Sequence, residues 1–315
     1  MKLYKGDCLI ESDKIESGSV DLILTDLPYG TVGESMQDNT GKYKIINESK
    51  WDNVIDTTKI MEVANRILRK NGKMILTAQQ PFTTELINKA IPNLPFSYTI
   101  FWDKLHFANC LGANKSCVNY MEECLLFSKN EDTEKAHPLR EYFYTEYEKT
   151  GLTYKEINRD YLETTFEGGG GMAYNMLCRT RLYFSMPTEN AYSRLQKTGY
   201  FEKPYEELKI EDEAFKNKIK STFNLWEGKK YKSNILKYKK DYDGHHPTQK
   251  PVLLLEDLIK TFSNENDLVV DLTMGSGSTG VACKNTNRDF IGIEMNDEYF
   301  NIAEQRIKET EYKLF

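Results

Sequence analysis

Short, wholly apolar runs alternate along this chain with stretches in which apolar residues recur every three or four positions. "VDLILT", residues 20–25, reads as a strand buried on both faces. "TTKIMEVANRILRKNGKMILTAQ" reads as a helix, a stop at Asn71-Gly72, and a second buried strand. "FSYTIFWDK" and "ECLLFSK" supply two further strand candidates. Beyond them the spacing predicts a helix over 252–262, the strand "DLVVDL", a glycine-rich turn and helix, the strand "DFIGIE", and an amphipathic helix to about Lys308. Such alternation implies an α/β fold with a mostly parallel sheet. Residues 31–50 are polar and glycine-punctuated, the composition of a mobile segment, either a functional lid or a disordered loop.

Three blocks follow from this pattern: 1–129, 130–243 and 244–315. The middle one is the most polar. Within it "GLTYKEINRDYLETTFEGGGGMAYNMLCRTRL" suggests two short helices around Gly168–Gly171. A helix-turn-helix is one reading and a plain helical hairpin the other.

Charge sharpens the picture of this block. The 315-residue chain carries a net charge of −6, which alone argues weakly against a nucleic-acid partner. Between Phe215 and Lys240, however, nine lysines face one acid, Glu227. Trp226, Tyr231 and Tyr238 interleave with them, a mixture suited to phosphates and bases, although a solvated lysine-rich face would look the same. Lys229, Lys230, Tyr231, Lys232, Lys237, Lys239 and Lys240 are the candidate nucleic-acid contacts.

Composition excludes other classes. Hydrophobic residues at 39% and charged residues at 29% describe an ordinary folded protein. No apolar run reaches the roughly 18–20 residues of a membrane span, and the first residues lack a signal-peptide pattern, so a cytoplasmic protein is expected. The six cysteines form no CxxC pair, which points to reduced thiols with neither zinc nor disulfides.

"DLVVDLTMGSGSTG" carries the most chemistry. A strand ends at Asp271, the turn contains Gly275, Ser276, Gly277 and Ser278, and a helix begins. No lysine follows the glycines, so this is not a phosphate-binding loop; Gly275, Gly277 and Gly280 only approximate the dinucleotide fingerprint. Asp271 stands where a cationic amine could be met, and Glu294 ends the next strand, where a carboxylate can accept from ribose hydroxyls. A ligand with a ribose, a positive amine and no phosphate is S-adenosylmethionine (AdoMet). A purely structural βα corner is the competing reading.

The end of the first buried strand then makes sense. In "TDLPYG" an acid, a proline and an aromatic ring stand at the lip of the same sheet. An exocyclic amino group on a base is a poor nucleophile because its lone pair is delocalised into the ring. The Asp26 carboxylate can accept one N–H and a backbone carbonyl near Leu27 the other, localising that lone pair. Pro28 restrains the backbone, and Tyr29 offers a face for the base. A strand-ending aspartate with a turn proline is the bland alternative.

"TDLPYG" followed by "DLTMGSGSTG" resembles the amino-group DNA methyltransferases that modify adenine N6 or cytosine N4, in the permuted group with the catalytic motif first. "YKGDCL", "HPTQKP" and "FIGIEMNDEYFNIAEQRI" extend the resemblance over 1–129 and 244–310. It implies a seven-stranded, Rossmann-like methyltransferase sheet, AdoMet as donor, and a mainly helical target-recognition insertion at 130–243. It implies double-stranded DNA as partner, with the target base rotated out of the stack and no metal. It also implies that Asp7 and Cys8 lie beside the cofactor adenine, and Thr248 and Lys250 at its methionine end. Leu27 and Thr273 depart from the family pattern, which has proline and commonly phenylalanine there. An aspartate opening the tetrapeptide favours adenine. The alternatives are N4-cytosine methylation, an RNA or protein methyltransferase, and a decayed AdoMet- and DNA-binding protein. A homodimer and a restriction endonuclease partner both stay open.

Overall fold

The computed structural model describes residues 1–28, 33–37, 43–48, 55–107, 114–115, 117–131, 137–164, 171–180, 184–241 and 249–310, with backbone alone at 33–37 and 43–48. Tyr29 and Thr248 lie outside the described residues, as do 31–32, 38–42 and 49–50 of the polar 31–50 segment.

The chain divides into two compact units, 1–130 with 221–315, and 131–220. The first is built on β1 (Lys2–Lys5), β2 (Val20–Thr25), β5 (Leu68–Ala78), β6 (Phe96–Asp103), β7 (Met121–Ser128), β8 (Ile235–Lys237), β9 (Leu268–Asp271) and β10 (Asp289–Glu294). These form a sheet of eight strands, one more than the sequence implies, in the order β1-β10-β9-β2-β5-β7-β6-β8. The added strand is β8, three residues from the lysine-rich window that pair in parallel with Phe101–Asp103 of β6. That pairing carries residues from Ser221 onward into the sheet unit, whereas the sequence placed them in the insertion up to 243. Among the described strands of this sheet only β7 runs against its two neighbours. A separate antiparallel pair joins β3 (Gly33–Gln37) to β4 (Tyr43–Glu48).

The buried run of β2 has a simple cause. Val20 and Ile23 point into one core with α2 (Thr57–Ile67) and α3 (Phe82–Asn88), while Leu22 and Leu24 point into another. That second core holds α9 (Val252–Phe262), α10 (Ser278–Asn285) and α11 (Asp297–Glu309). With helices on both faces there is no polar face to alternate with. Each such aliphatic side chain contributes ~2 kcal/mol on burial. The one acid in the strand, Asp21, is satisfied by Arg69 Nε at 2.5 Å and by the Leu268 amide at 2.8 Å, so it ties β5 and β9 to β2.

The helix expected to stop at Asn71-Gly72 stops earlier, at Ile67. Arg66 is held by the carbonyls of Ile15 and Ser12, and Leu68 turns extended to pair with Val20. Asn71 takes a left-handed φ of 62° inside β5, where the register with β2 shifts, and its amide donates to the Lys129 carbonyl. The Asn-Gly pair is therefore a strand irregularity.

The second unit is helical among its described residues: α4 (Leu139–Thr150), α5 (Tyr154–Asp160), α6 (Gly171–Leu177), α7 (Glu189–Gln196) and α8 (Tyr205–Lys218). Phe143, Tyr192, Phe201 and Leu208 centre its core. Ten residues separate α5 from α6, too many for the three- or four-residue turn of a helix-turn-helix.

Candidate active site

Chain direction concentrates chemistry at one edge of the sheet. From β9 the chain passes through α10 to β10 on one side; from β2 it passes through α2 to β5 on the other. The crevice between β9 and β2, at the carboxyl ends of the strands, is the position where open α/β sheets bind ligands. Asp7, Glu294, Asp271 and Asp26 all stand at those ends, following β1, β10, β9 and β2 in turn.

On the β9 side, Asp271 is 4% exposed. Its Oδ1 accepts from the Thr25 hydroxyl at 2.8 Å and the Thr273 amide at 3.1 Å, and its Oδ2 from the Thr279 hydroxyl at 2.6 Å. Burial pushes its carboxyl up to about 6, the three neutral donors opposing but not cancelling the loss of water. Four lone-pair sites minus these three leaves one acceptor position on Oδ2. Glu294 accepts from the Gly275 amide at 2.9 Å and the Asn296 amide at 2.7 Å, one on each oxygen, and burial raises its carboxyl too. Both acids thus keep acceptor capacity for an amine and for hydroxyls, which is the donor set AdoMet presents.

The glycines of the turn divide their work. Gly277 has φ 81°, and a Cβ there would lie 2.8 Å from that of Ala303, so it lets α11 approach. Gly275 has φ 49° and aims its amide at Glu294. Ser276 and Ser278 are buried beneath Arg306 of α11, whose Nη1 donates to the Ser276 carbonyl at 2.7 Å and hydroxyl at 3.0 Å and reaches Ser278 at 3.4 Å. They brace the turn from inside. Asp7 caps the short α1 (Cys8–Glu11) by accepting from the Leu9 amide at 2.8 Å and remains exposed. Its neighbour Cys8 turns into the core, with its thiol pushed up to about 12 by burial first and by the Asp7 charge second.

On the β2 side, Asp26 is about a quarter exposed, at 26% for its side chain. The Thr77 hydroxyl donates to its Oδ1, and Lys250 Nζ lies 2.5 Å from its Oδ2. The next residue, Leu27, fills the core at 2% exposure, so the side chain in the proline position is a packing element. Thr273 links the two sides: its hydroxyl donates to the Asp26 backbone carbonyl at 2.9 Å and lies 2.8 Å from the Thr25 hydroxyl. Where the resembled family commonly has a ring, this chain has a hydrogen-bonded strut. Lys250, expected near the cofactor, also pairs with Glu122 at 2.9 Å.

In the basic window, Lys229, Lys230, Tyr231, Lys237 and Lys239 are exposed, Tyr231 at 79%. Lys232 is different. It turns inward to Asp257 at 2.5 Å and lies over the Trp226 ring, 5.2 Å from its centroid. Lys240 is half-buried and its ammonium is weakened by burial first and then by Lys104.

The family model for N6/N4 DNA methylases matches residues 20–305. The chain is an N6/N4 DNA amino-methyltransferase. That family draws its methyl group from AdoMet. Among relatives, the chain is 23% identical to the type II methyltransferase M.HindIII of Haemophilus influenzae over 97% of its own length and 94% of that protein's. It is 25% identical to the DNA adenine methyltransferase YhdJ of Escherichia coli over 97% and 82%. The match to M2.LlaDCHI of Lactococcus lactis reaches 35% but spans 46% of that relative. In fold, a complex of M1.HpyAVI with SAM superposes with a TM-score of 0.52 at 20% identity, covering 97% and 98% of the two chains. The cytosine-N4-specific PvuII methyltransferase superposes at 0.50 and 14%, covering 96% and 85%. Among the described residues no helix of this methyltransferase is long and apolar enough to cross a membrane.

Thr25, Thr77, Glu122, Lys104 and Arg306 were missed by sequence reasoning. Thr25 precedes the tetrapeptide directly and was a readable signal; the others come from strands or helices that only folding brings near.

Proposed function

We propose that this methyltransferase modifies the N6 amino group of adenine in duplex DNA, with AdoMet in the β9–β2 crevice and the target base rotated out of the stack. AdoMet, when bound, supplies a methyl group on a positively charged sulfur. The chain's own residues do the rest. Asp26, held by Thr77 and Lys250, accepts one N–H of the amino group, and the Leu27 carbonyl accepts the other. The nitrogen lone pair, localised by these acceptors, forms the new N–C bond as the carbon–sulfur bond breaks, and the proton released from nitrogen passes by way of Asp26 to water. Catalysis is then positioning plus a fixed hydrogen-bond field. Tyr29 stacks on the base in this reading. Glu294 and Asp7 hold the nucleoside of the cofactor, Asp271 its amine, and Thr248 the methionine end. Lys229, Lys230, Tyr231, Lys237 and Lys239 hold the DNA strand, and the 131–220 unit reads its sequence.

The observation that carries this reading is the Asp26 carboxylate following β2, on a residue whose backbone carbonyl is tied through Thr273 to the glycine turn. Adenine is favoured by the aspartate opening the tetrapeptide, and the name of YhdJ, a full-length relative, agrees with it. The second reading, cytosine N4, is favoured by the fold shared with the PvuII enzyme. Labelled AdoMet, the purified protein and unmethylated bacterial DNA, followed by nucleoside mass spectrometry, separate the two. N6-methyladenine is expected. N4-methylcytosine would keep the mechanism and overturn the base, and AdoMet binding without any methylated nucleoside would point to a decayed enzyme.

A further inference from the structure

Four charged side chains of alternating sign run inward from the cleft. Asp26 Oδ2 meets Lys250 Nζ at 2.5 Å, the same ammonium meets Glu122 Oε1 at 2.9 Å, and Glu122 Oε2 meets Lys104 Nζ at 3.2 Å. Lys104, Glu122 and Lys250 are 2%, 6% and 9% exposed. They come from four places in the chain: the end of β2, the approach to α9, the second residue of β7 and the residue after β6. Lys104 also lies over the Trp102 ring, 5.6 Å from its centroid. Taking three charges out of water is expensive, and apolar residues of the same volume would hold the core as well. Stability alone does not account for the arrangement.

A chemical reason follows from what Asp26 must do. It already receives the Thr77 hydroxyl on one oxygen. Without Glu122, the whole Lys250 ammonium would be concentrated on the carboxylate that must still accept a weakly acidic amino hydrogen. Glu122 draws on the same ammonium, and Lys104 balances Glu122, so the four groups sum to zero. Burial acts to raise the Glu122 carboxyl, but the Lys250 and Lys104 charges outweigh it and hold it below the ordinary range. Among the described residues, Asp271 on β9, Glu123 and Cys124 on β7, and Lys240 after β8 also act electrostatically on this cluster.

We propose that Glu122 is a positioning residue for methyl transfer: it shares Lys250 with Asp26 and so keeps the Asp26 carboxylate available to the target amino group. This rests on the role given to Asp26 above. The test compares single-turnover rates, at saturating AdoMet and duplex DNA, for the wild type, Glu122→Gln, Glu122→Asp, Lys104→Met, and Glu122→Gln combined with Lys104→Met. Calorimetric AdoMet affinity and circular dichroism are recorded alongside. Glu122→Gln should slow the step by at least about tenfold, the scale of losing one fixed electrostatic contact to the reacting centre, with AdoMet affinity little changed. Glu122→Asp should recover part of the rate. The double variant should be no faster than Glu122→Gln, because with Glu122 gone Lys104 has nothing to balance and Lys250 still rests undivided on Asp26. A double variant as fast as the wild type would show that Lys250 need not be shared and overturn the inference. So would a wild-type rate in Glu122→Gln. Should Glu122→Gln fail to fold, Lys104→Met alone decides: charge sharing predicts a rate at or above wild type, and a tenfold loss refutes it. A wild type that binds AdoMet yet methylates no DNA overturns the reading of Asp26 and this inference together.

Discussion

Two aspartates end neighbouring strands of one sheet, and the protein treats them oppositely. Asp271 is enclosed and answered by neutral donors alone, so it lies in a setting that favours its protonated form, with its carboxyl pushed up to about 6. Asp26, one strand away, is partly open to water and answered by an ammonium. The contrast shows that sharing an edge does not mean sharing a chemistry. A buried acid awaiting a cationic ligand is suited by hydroxyls that leave its charge uncompensated. The acid at the reacting edge is paired with a cation instead. Thr25 and Thr273 stand between the two and fasten one to the other.

The largest effect expected from breaking this contrast is at Asp26. Asp26→Ala should lower turnover by ~10³-fold or more, as losses of a central catalytic group do, with AdoMet affinity nearly intact. Near wild-type turnover would remove Asp26 from the chemistry.

Asp271→Ala should instead act on binding and stability. It strands the hydroxyls of Thr25 and Thr279 and the amide of Thr273. At about 1–3 kcal/mol for an unsatisfied buried group, partly relieved by rearrangement, denaturant melts should show a loss of ~2–4 kcal/mol. Calorimetry should show AdoMet binding lost, and retained affinity would contradict the proposed amine contact.

The pH dependence probes Asp271 without mutation. A cationic amine prefers ionised Asp271, so AdoMet affinity should be constant above about 6 and weaken as the pH falls through it. The sign for stability is opposite. Because the folded-state value is raised, the native protein holds this proton more tightly than the unfolded chain, so this group's contribution declines as pH rises from ordinary carboxylate values to about 6 and is flat above. Asp271→Asn should abolish both slopes. Persistence of the affinity slope in that variant would assign it to another group.

A smaller change tests the strut. Thr273→Val removes the hydroxyl from the Asp26 carbonyl while keeping the shape, and should cost about 1 kcal/mol and slow methylation several-fold. An unchanged single-turnover rate would leave the link merely structural. The smallest effect is at the surface. Lys229→Ala should weaken DNA binding a few-fold and flatten its salt dependence by about one ion. Lys232→Ala, which opens the Asp257 pairing, should lower the melting temperature instead. Equal effects on DNA from both would undo the division of the basic window.

Much of this site was legible from one strand at a time. The two-sided burial of β2, the span of α9, Asp26 and Asp271 at strand ends, and Glu294 one strand on follow from hydrophobic period and turn chemistry, which are local. The glycine turn was legible as a turn, but its division of labour was not. Gly277 serves Ala303, 26 residues away, and no local pattern reveals which neighbour comes close. The stop expected at Asn71-Gly72 misread a strand irregularity as a helix end, because an Asn-Gly pair offers the same left-handed backbone to both.

Sequence by itself determined the α/β class, the order of strands and helices, the methyltransferase motifs and which residue types could do the chemistry, because these depend on neighbours within a few positions. Tertiary structure alone decided the partners. The eighth strand exists because Ile235–Lys237 finds β6, more than 130 residues earlier. Lys250 meets Asp26 and Glu122, and Lys232 meets Asp257, because burial in a low-dielectric interior forces each charge to find an opposite one. Which opposite charge lies in reach is set by strand order and register, and those are properties of the whole sheet.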